Sequence, residues 1–364
     1  MPRAQFKRVK IAAIATTTGP VVRTLDDEAH LFGDNKILLE RMRTLVGVNS
    51  RHVAPRGVTT LDLCENAARR LLAGLSLEPE AIDGIICVTQ TPDHWQPCNA
   101  NLLHGRLGLP KTAAAFDINQ GCSGWVYGLY VACAMVESGG CERVLLLAGD
   151  TVTQSINPRD RTTVVLFGDA GTATLIERSA VDEPSWFSLH SDGRGHGAIK
   201  IPAGGYRQPG SAETAVEHTD AEGSVRSEDN LFMDGLEVFN FTLREEPGAV
   251  KEMLDYSGHT IESVDSFVFH QANRFILSNL AKRIKAPAEK VPWQTAERFG
   301  NQSSASVPAA LCDALGEKLR EQSLTVLCSG FGVGLSWGSC LLRLGPLRHC
   351  SLEQYVMPSD SLKS

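Results

Sequence analysis

The chain has 364 residues, 43% of them hydrophobic and 21% charged, with a net charge of −7 and a pI near 5.8. That is the profile of one large or two ordinary globular domains with volume for a buried core, and it excludes a disordered chain. The acidic balance argues against a nucleic-acid binder, no apolar run is long enough to span a bilayer, and the N-terminus leads into a strand-like segment rather than a signal peptide, so a cytoplasmic protein with no membrane partner is expected.

In chain order, Val9 to Thr17 reads as a strand, a polar irregular segment runs to about Lys36, and Ile37 to Val46 has a helical pattern. The apolar spacing predicts a helix over Leu61 to Leu75 and a buried strand over Ile82 to Gln90. A helix over Asn101 to Leu107, a strand over Ala113 to Ile118, a helix over Ser123 to Ser138 and a strand over Arg143 to Ala148 follow. This alternation predicts α/β layering. Short β runs at Thr163–Leu166 and Thr172–Ile176 flank the turn Phe167-Gly168-Asp169-Ala170-Gly171. Residues 192–229, rich in Gly, Pro, Glu and Ser, read as a long functional or mobile loop. Gly235 to Ser257 is helical in pattern, with Pro247 expected to kink or interrupt it. A strand over Ser266–Phe269, helices over Asn273–Lys285 and Ser304–Leu319, and strands over Leu324–Cys328 and Leu335–Leu344 complete the pattern.

Ten cysteines are scattered without Cys-x-x-Cys spacing, which favours reduced thiols over a disulfide or metal framework. Only Cys122 stands between glycines, Gly121 and Gly124, at a strand-to-helix junction. A thiol there sees the positive end of the helix dipole, which lowers its pKa and favours a nucleophilic thiolate; the alternative is one more buried structural cysteine. His270 ends the apolar run Phe267-Val268-Phe269, where it can hold or shuttle a proton or simply be a satisfied core histidine. Asn301 lies in a Gly-Asn-rich turn before a helix, a common place for a capping asparagine. The second half echoes the first, with Cys122 and His270 read as occupying comparable places and a boundary between Glu177 and Trp186. The expected division is 1–180 with the cysteine, 181–346 with the histidine and asparagine, and a tail over 347–364. The Gly330-Phe331-Gly332-Val333-Gly334 run is not read as a dinucleotide loop, because a strand rather than a helix follows it.

Taken together, DINQGCSGWVYGL, FHQANRFI, FGNQSSASVP and GFGVGLSWGS, in that order and with the FGDAG turn between the halves, resemble the motifs of the β-ketoacyl-acyl-carrier-protein synthase III family of thiolase-fold condensing enzymes. The resemblance runs from Val9 to about Leu344. It implies a thiolase-like fold of two similar βα halves and a homodimer. It also implies acyl transfer from an acyl-CoA or acyl-carrier-protein donor to Cys122, followed by decarboxylative condensation with malonyl-acyl-carrier protein. In that scheme His270 and Asn301 are neutral donors to the enolate, the backbone N–H groups of Cys122 and Val333 hold the acyl-enzyme oxyanion, and neither metal nor redox cofactor takes part. Relatives that transfer an acyl group to oxygen tend to replace the asparagine, which is present here. Same-fold transfer to an amine or alcohol is the nearest alternative, and a non-catalytic partner subunit is the alternative of another class. Family members primed by acetyl-CoA carry a Trp and an Arg near the adenine, whereas Arg41-Met42-Arg43-Thr44-Leu45-Val46 holds no aromatic residue, which disfavours simple acetyl-CoA priming. Arg274, Lys282, Arg283 and Lys285 are the expected docking cations for the acidic carrier.

Overall fold

In the computed structural model, which describes residues 2–357, the alternating segments form two mixed sheets and the helices that cover them. The first half supplies β1 (Arg3–Phe6), β2 (Val9–Thr18), β3 (Val21–Thr24), α1 (Lys36–Arg41), β4 (Ser50–Val53), α2 (Thr60–Leu75), β5 (Gly84–Val88), α3 (Asn99–Leu107), β6 (Ala114–Ile118), α4 (Gly124–Glu137), β7 (Arg143–Asp150) and β8 (Ala170–Arg178). The second supplies β9 (Ser185–Ser191), the short strands β10 (Ile199–Lys200), β11 (His218–Thr219), β12 (Val225–Arg226) and β13 (Phe232–Met233), then α5 (Gly235–Ser257), β14 (Ser266–Phe269), α6 (Arg274–Ile284), α7 (Gln294–Phe299), α8 (Ser306–Glu321), β15 (Leu324–Gly332), β16 (Ser336–Leu344) and β17 (His349–Gln354).

One sheet runs β17-β2-β8-β7-β5-β6 and the other β1-β9-β16-β15-β14. Within them β2-β8-β7-β5 and β9-β16-β15-β14 repeat one pattern: two antiparallel pairings, then a parallel one. Helices α4 and α8 lie between the sheets in a shared core that includes Trp125, Leu129, Val307 and Leu311. Sequence dictates that placement for α4, since Trp125, Val126, Leu129, Ala132 and Val136 leave almost no polar face and a helix apolar all round must be buried. The other faces are covered by α2 and α3 on the first sheet and by α5 and α6 on the second, giving five α/β layers. The chain ends cross over: β1 joins the second sheet, and β17, within the stretch read as a tail, joins the first beside β2.

Several expectations are corrected. Residues Thr163–Leu166 are not a strand; their N–H groups bond locally, Thr163 and Val164 to the Asp160 carbonyl and Leu166 to the Thr163 carbonyl, so the segment closes into turns. Helix α5 continues through Pro247 for 23 residues. The repeat shows that β14, which ends before His270, matches β5, and that α8 matches α4. The counterpart of Cys122 is therefore the Asn301–Ser306 segment that opens α8, not His270. Among the described residues no helix is long and apolar enough to cross a membrane.

Candidate active site

Strand β6 ends at Ile118 and the chain turns at Asn119-Gln120-Gly121 before α4, which sets Cys122 just ahead of the helix, at 8% exposure. Strand β15 passes directly against it. A side chain at Gly332, where φ is +156°, would put its first carbon 2.8 Å from the Cys122 sulfur, so glycine alone permits the approach.

His270 follows β14, its N–H donating to the Ser329 carbonyl at 2.7 Å, and its ring packs edge-on to Phe331 with centroids 5.4 Å apart. Ser306 Oγ accepts from the Gln271 N–H (3.3 Å) and lies 2.6 Å from His270 Nδ1. The hydroxyl proton is then free for Nδ1, which leaves the ring's own proton on Nε2. Asn301 is fixed from both sides. Its backbone bridges to the FGDAG turn, with N–H to the Leu166 carbonyl at 2.8 Å and carbonyl from the Gly168 N–H at 3.0 Å, while its Oδ1 accepts from the Ser303 N–H at 3.0 Å. With the side-chain carbonyl occupied, the amide NH2 is the group left to donate.

Cys122, His270, Asn301 and Val333 line one cavity of about 350 Å³. Its remaining wall is mainly apolar and comes from both halves, including Val152, Leu166, Ile199, Leu231, Met233 and Ile276. Ile199 belongs to the stretch read from sequence as a long loop, and Leu231 and Met233 follow just beyond it; the β10–β13 pair brings the two sides together, and the polar hairpin β11–β12 lies between them. Among the described residues no cluster of three or more His, Cys, Asp or Glu side chains is set to hold a metal ion.

Electrostatics depart from the sequence reading at the thiol. Burial pushes Cys122 up to about 11, with the Asp150 charge adding to the rise, and the Val333 N–H, the Ser303 hydroxyl and its own N–H offset only part of it. Cys122 precedes the helix by two residues and is largely buried, so the lowering expected from the helix end does not prevail. Burial likewise takes His270 down to about 3, which makes it a neutral imidazole throughout the working pH range. The expected docking cations do not form one patch. Arg274 lies over the Trp293 ring, 4.3 Å from its centroid, whereas Lys282, Arg283 and Lys285 are exposed at the far end of α6.

Sequence reasoning missed Asp150, Ser303, Ser304 and Ser306. Asp150, fully buried at the end of β7, accepts from the Gln90 N–H (2.7 Å), the Thr89 and Thr91 hydroxyls, and the Ser304 hydroxyl (2.8 Å) and N–H. It thereby ties the end of the Cys122 sheet to the Asn301 segment. The available signal was an acid closing an apolar strand and a run of serines after Asn301, both of which also read as ordinary turn chemistry.

The description "3-Oxoacyl-[acyl-carrier-protein (ACP)] synthase III" fits residues 116–195 as a family model, and its C-terminal counterpart fits residues 254–344. The chain is 34% identical over 346 residues to a putative 3-oxoacyl-[acyl-carrier-protein] synthase 3 of Campylobacter jejuni, covering 95% of this chain and 96% of that one. It is 37% identical over 305 residues to a β-ketoacyl-[acyl-carrier-protein] synthase III of Caldanaerobacter subterraneus, covering 84% and 89%. Its fold matches the crystal structure of a 3-oxoacyl-(acyl-carrier protein) synthase from Burkholderia xenovorans with a TM-score of 0.90 at 37% identity, over 97% of this chain and 99% of that one.

Proposed function

The chain belongs to the 3-oxoacyl-[acyl-carrier-protein] synthase III family of carbon–carbon bond-forming acyltransferases, and from that premise we propose that Cys122, His270 and Asn301 divide its two half-reactions between them. In the first, the Cys122 sulfur attacks the thioester carbonyl of an acyl-CoA or acyl-carrier-protein donor, and the Cys122 and Val333 N–H groups receive the oxyanion. In the second, malonyl-acyl-carrier protein enters, its carboxylate leaves as CO₂, and the thioester enolate is held by the His270 Nε2–H and the Asn301 amide. The enolate carbon then attacks the acyl-cysteine and frees the sulfur, giving a 3-oxoacyl-carrier protein.

The observation that carries this reading is that a thiol and two neutral donors, brought from three distant segments, wall one mainly apolar cavity. An apolar cavity strengthens every donor aimed into it and keeps water from the acyl-enzyme. A neutral imidazole also suits the task, since an imidazolium would pair with the malonyl carboxylate and favour its retention. The test is to incubate the protein with acyl-CoA donors of graded length and look for the acyl mass on Cys122, then to add malonyl-acyl-carrier protein and follow CO₂. Acylation of any other residue, or product without CO₂ release, would sink the assignment.

Lys282, Arg283 and Lys285 are the part of the basic set free to meet an acidic carrier, with Arg274 nearer the cavity. The chain pairs with a second copy through β6, an edge strand whose outer side has no partner among the described residues and which leads straight to Cys122. Sedimentation at micromolar concentration checks the dimer, and a monomer there would remove it.

A further inference from the structure

Two polar side chains on the cavity wall, Gln90 and Asn119, have no part in either half-reaction. Gln90 lies just past β5, its N–H fixed to the buried Asp150 carboxylate at 2.7 Å, and Asn119 stands in the turn from β6 to Cys122, where the Gln120 N–H closes on the Ile118 carbonyl at 3.1 Å. Their amides meet, with Gln90 Nε2 donating to Asn119 Oδ1 at 3.3 Å. That bond uses one donor and one acceptor. Gln90 Oε1 is left as an acceptor and the Asn119 NH2 as a donor, and among the described residues neither has another partner. The pair is also close to the nucleophile: a side chain at Gly121 would put its first carbon 2.5 Å from Gln90 Oε1 and 2.4 Å from Val333 Cγ1, so the Gln90 carbonyl lies against the residue before Cys122 and beside Val333.

An acyl group on the Cys122 sulfur has its first few carbons within reach of this amide pair. Both side chains are open to water in the single chain, and an alkyl segment laid against them removes that water and returns no hydrogen bond. The apolar wall around Val152 and Leu166 takes alkyl carbons without that cost. A hydroxyl offers one donor and one acceptor, the complement of the two groups left free, whereas a ketone oxygen only accepts. Resting on the assignment of Cys122 as nucleophile, we propose that Gln90 and Asn119 select a hydroxyacyl thioester as the acyl donor. The hydroxyl, on the third or fourth carbon of the acyl group, donates to Gln90 Oε1 and accepts from the Asn119 NH2. The exchange itself is unaltered: the sulfur forms the new C–S bond, the donor's C–S bond breaks, and the S–H proton ends on the departing thiol, with no change of oxidation state. A site built to pair a substrate hydroxyl discriminates against the analogue that lacks it, because its own polar groups are then left unpaired.

The first measurement needs no variant. Single-turnover loading of Cys122, read by mass at subsaturating donor, is compared for butyryl and octanoyl thioesters and for their 3-hydroxy (both enantiomers), 4-hydroxy and 3-oxo counterparts, each offered on CoA and on the carrier protein. A hydroxylated donor is expected to load at least about tenfold faster than the unsubstituted and 3-oxo donors of the same length. Gln90→Met, which keeps the side-chain length without the amide, and Asn119→Ala are each expected to bring that ratio to within about threefold of unity. Unsubstituted donors that load wild type as fast as the hydroxylated ones overturn the selection and leave Cys122 as nucleophile intact. Variants that load every donor more slowly while the ratio is kept also overturn it, in favour of a contact with the pantetheine arm or, where sedimentation changes as well, with the second copy. Wild type that carries no acyl group on Cys122 from any donor overturns both readings.

Discussion

At the scale of single residues, the site divides labour by environment. The same burial that keeps His270 a neutral imidazole keeps Cys122 a thiol, so in the proposed scheme one mainly apolar cavity suits the enolate and handicaps the nucleophile. Cys122→Ala is expected to abolish acyl loading outright, with no acyl mass on the protein. Asn301→Ala is expected to load at close to the wild-type rate while CO₂ release falls by about 10²-fold, the cost of one oxyanion donor. Equal loss of both steps would count against its role. His270 and Asn301 could be singled out in the sequence because their neighbours carry a joint pattern. Ser303 could not, because a serine after Asn-Gln is ordinary loop composition until its φ and its bond to Asn301 Oδ1 are known.

At the scale of elements, the turn Phe167–Gly171 and the strand ends around Asp150 carry the second half's segment to the first. At Gly168 a side chain's first carbon would lie 1.9 Å from the Phe299 carbonyl oxygen, a backbone atom that cannot swing aside. Gly168→Ala is therefore expected to lower stability by about 2 kcal/mol or more in urea unfolding and to cut CO₂ release further than acyl loading, since the clash displaces the strand end that holds Asn301. Helix α5 buries Glu246 completely; one carboxylate oxygen accepts from Ser329 Oγ at 2.7 Å, the other has no hydrogen-bond partner, and burial raises the group to about 8. The folded chain thus holds a proton that the unfolded chain releases near the ordinary glutamate range. The stability this contributes is whole below that range and is lost as pH rises through about 8. Glu246→Gln is expected to flatten the decline in stability between about pH 5 and 9, measured as urea midpoints across that range, because glutamine has no proton to lose. The element readings were sound where apolar periodicity was strong, as in α2 and α4. They failed at Thr163–Leu166, where a β-branched run with strand propensity is held in turns by Asp160, and at Pro247, where packing carried the helix past a missing donor.

At the scale of the whole molecule, two repeated sheets enclose α4 and α8, and each half contributes one buried helix whose start faces the cavity. Carrier protein must approach this body from outside, and the exposed basic end of α6 is the surface argued for it. Replacing Lys282, Arg283 and Lys285 together by Glu is expected to raise the KM for malonyl-acyl-carrier protein about tenfold, with little change in kcat and a weaker dependence on salt. A KM that does not move would place docking elsewhere. By itself the sequence determined the α/β class, the positions of most helices and strands, and the family, and it singled out three candidate side chains by their neighbours, because periodicity and short motifs are local. The tertiary structure decided that α8, and not the segment after His270, is the counterpart of α4, that β1 and β17 exchange sheets, and that Asp150 ties the end of β7 to the Asn301–Ser306 segment. Those are matters of sheet order and of burial, and both arise only when segments more than a hundred residues apart come together and exclude water.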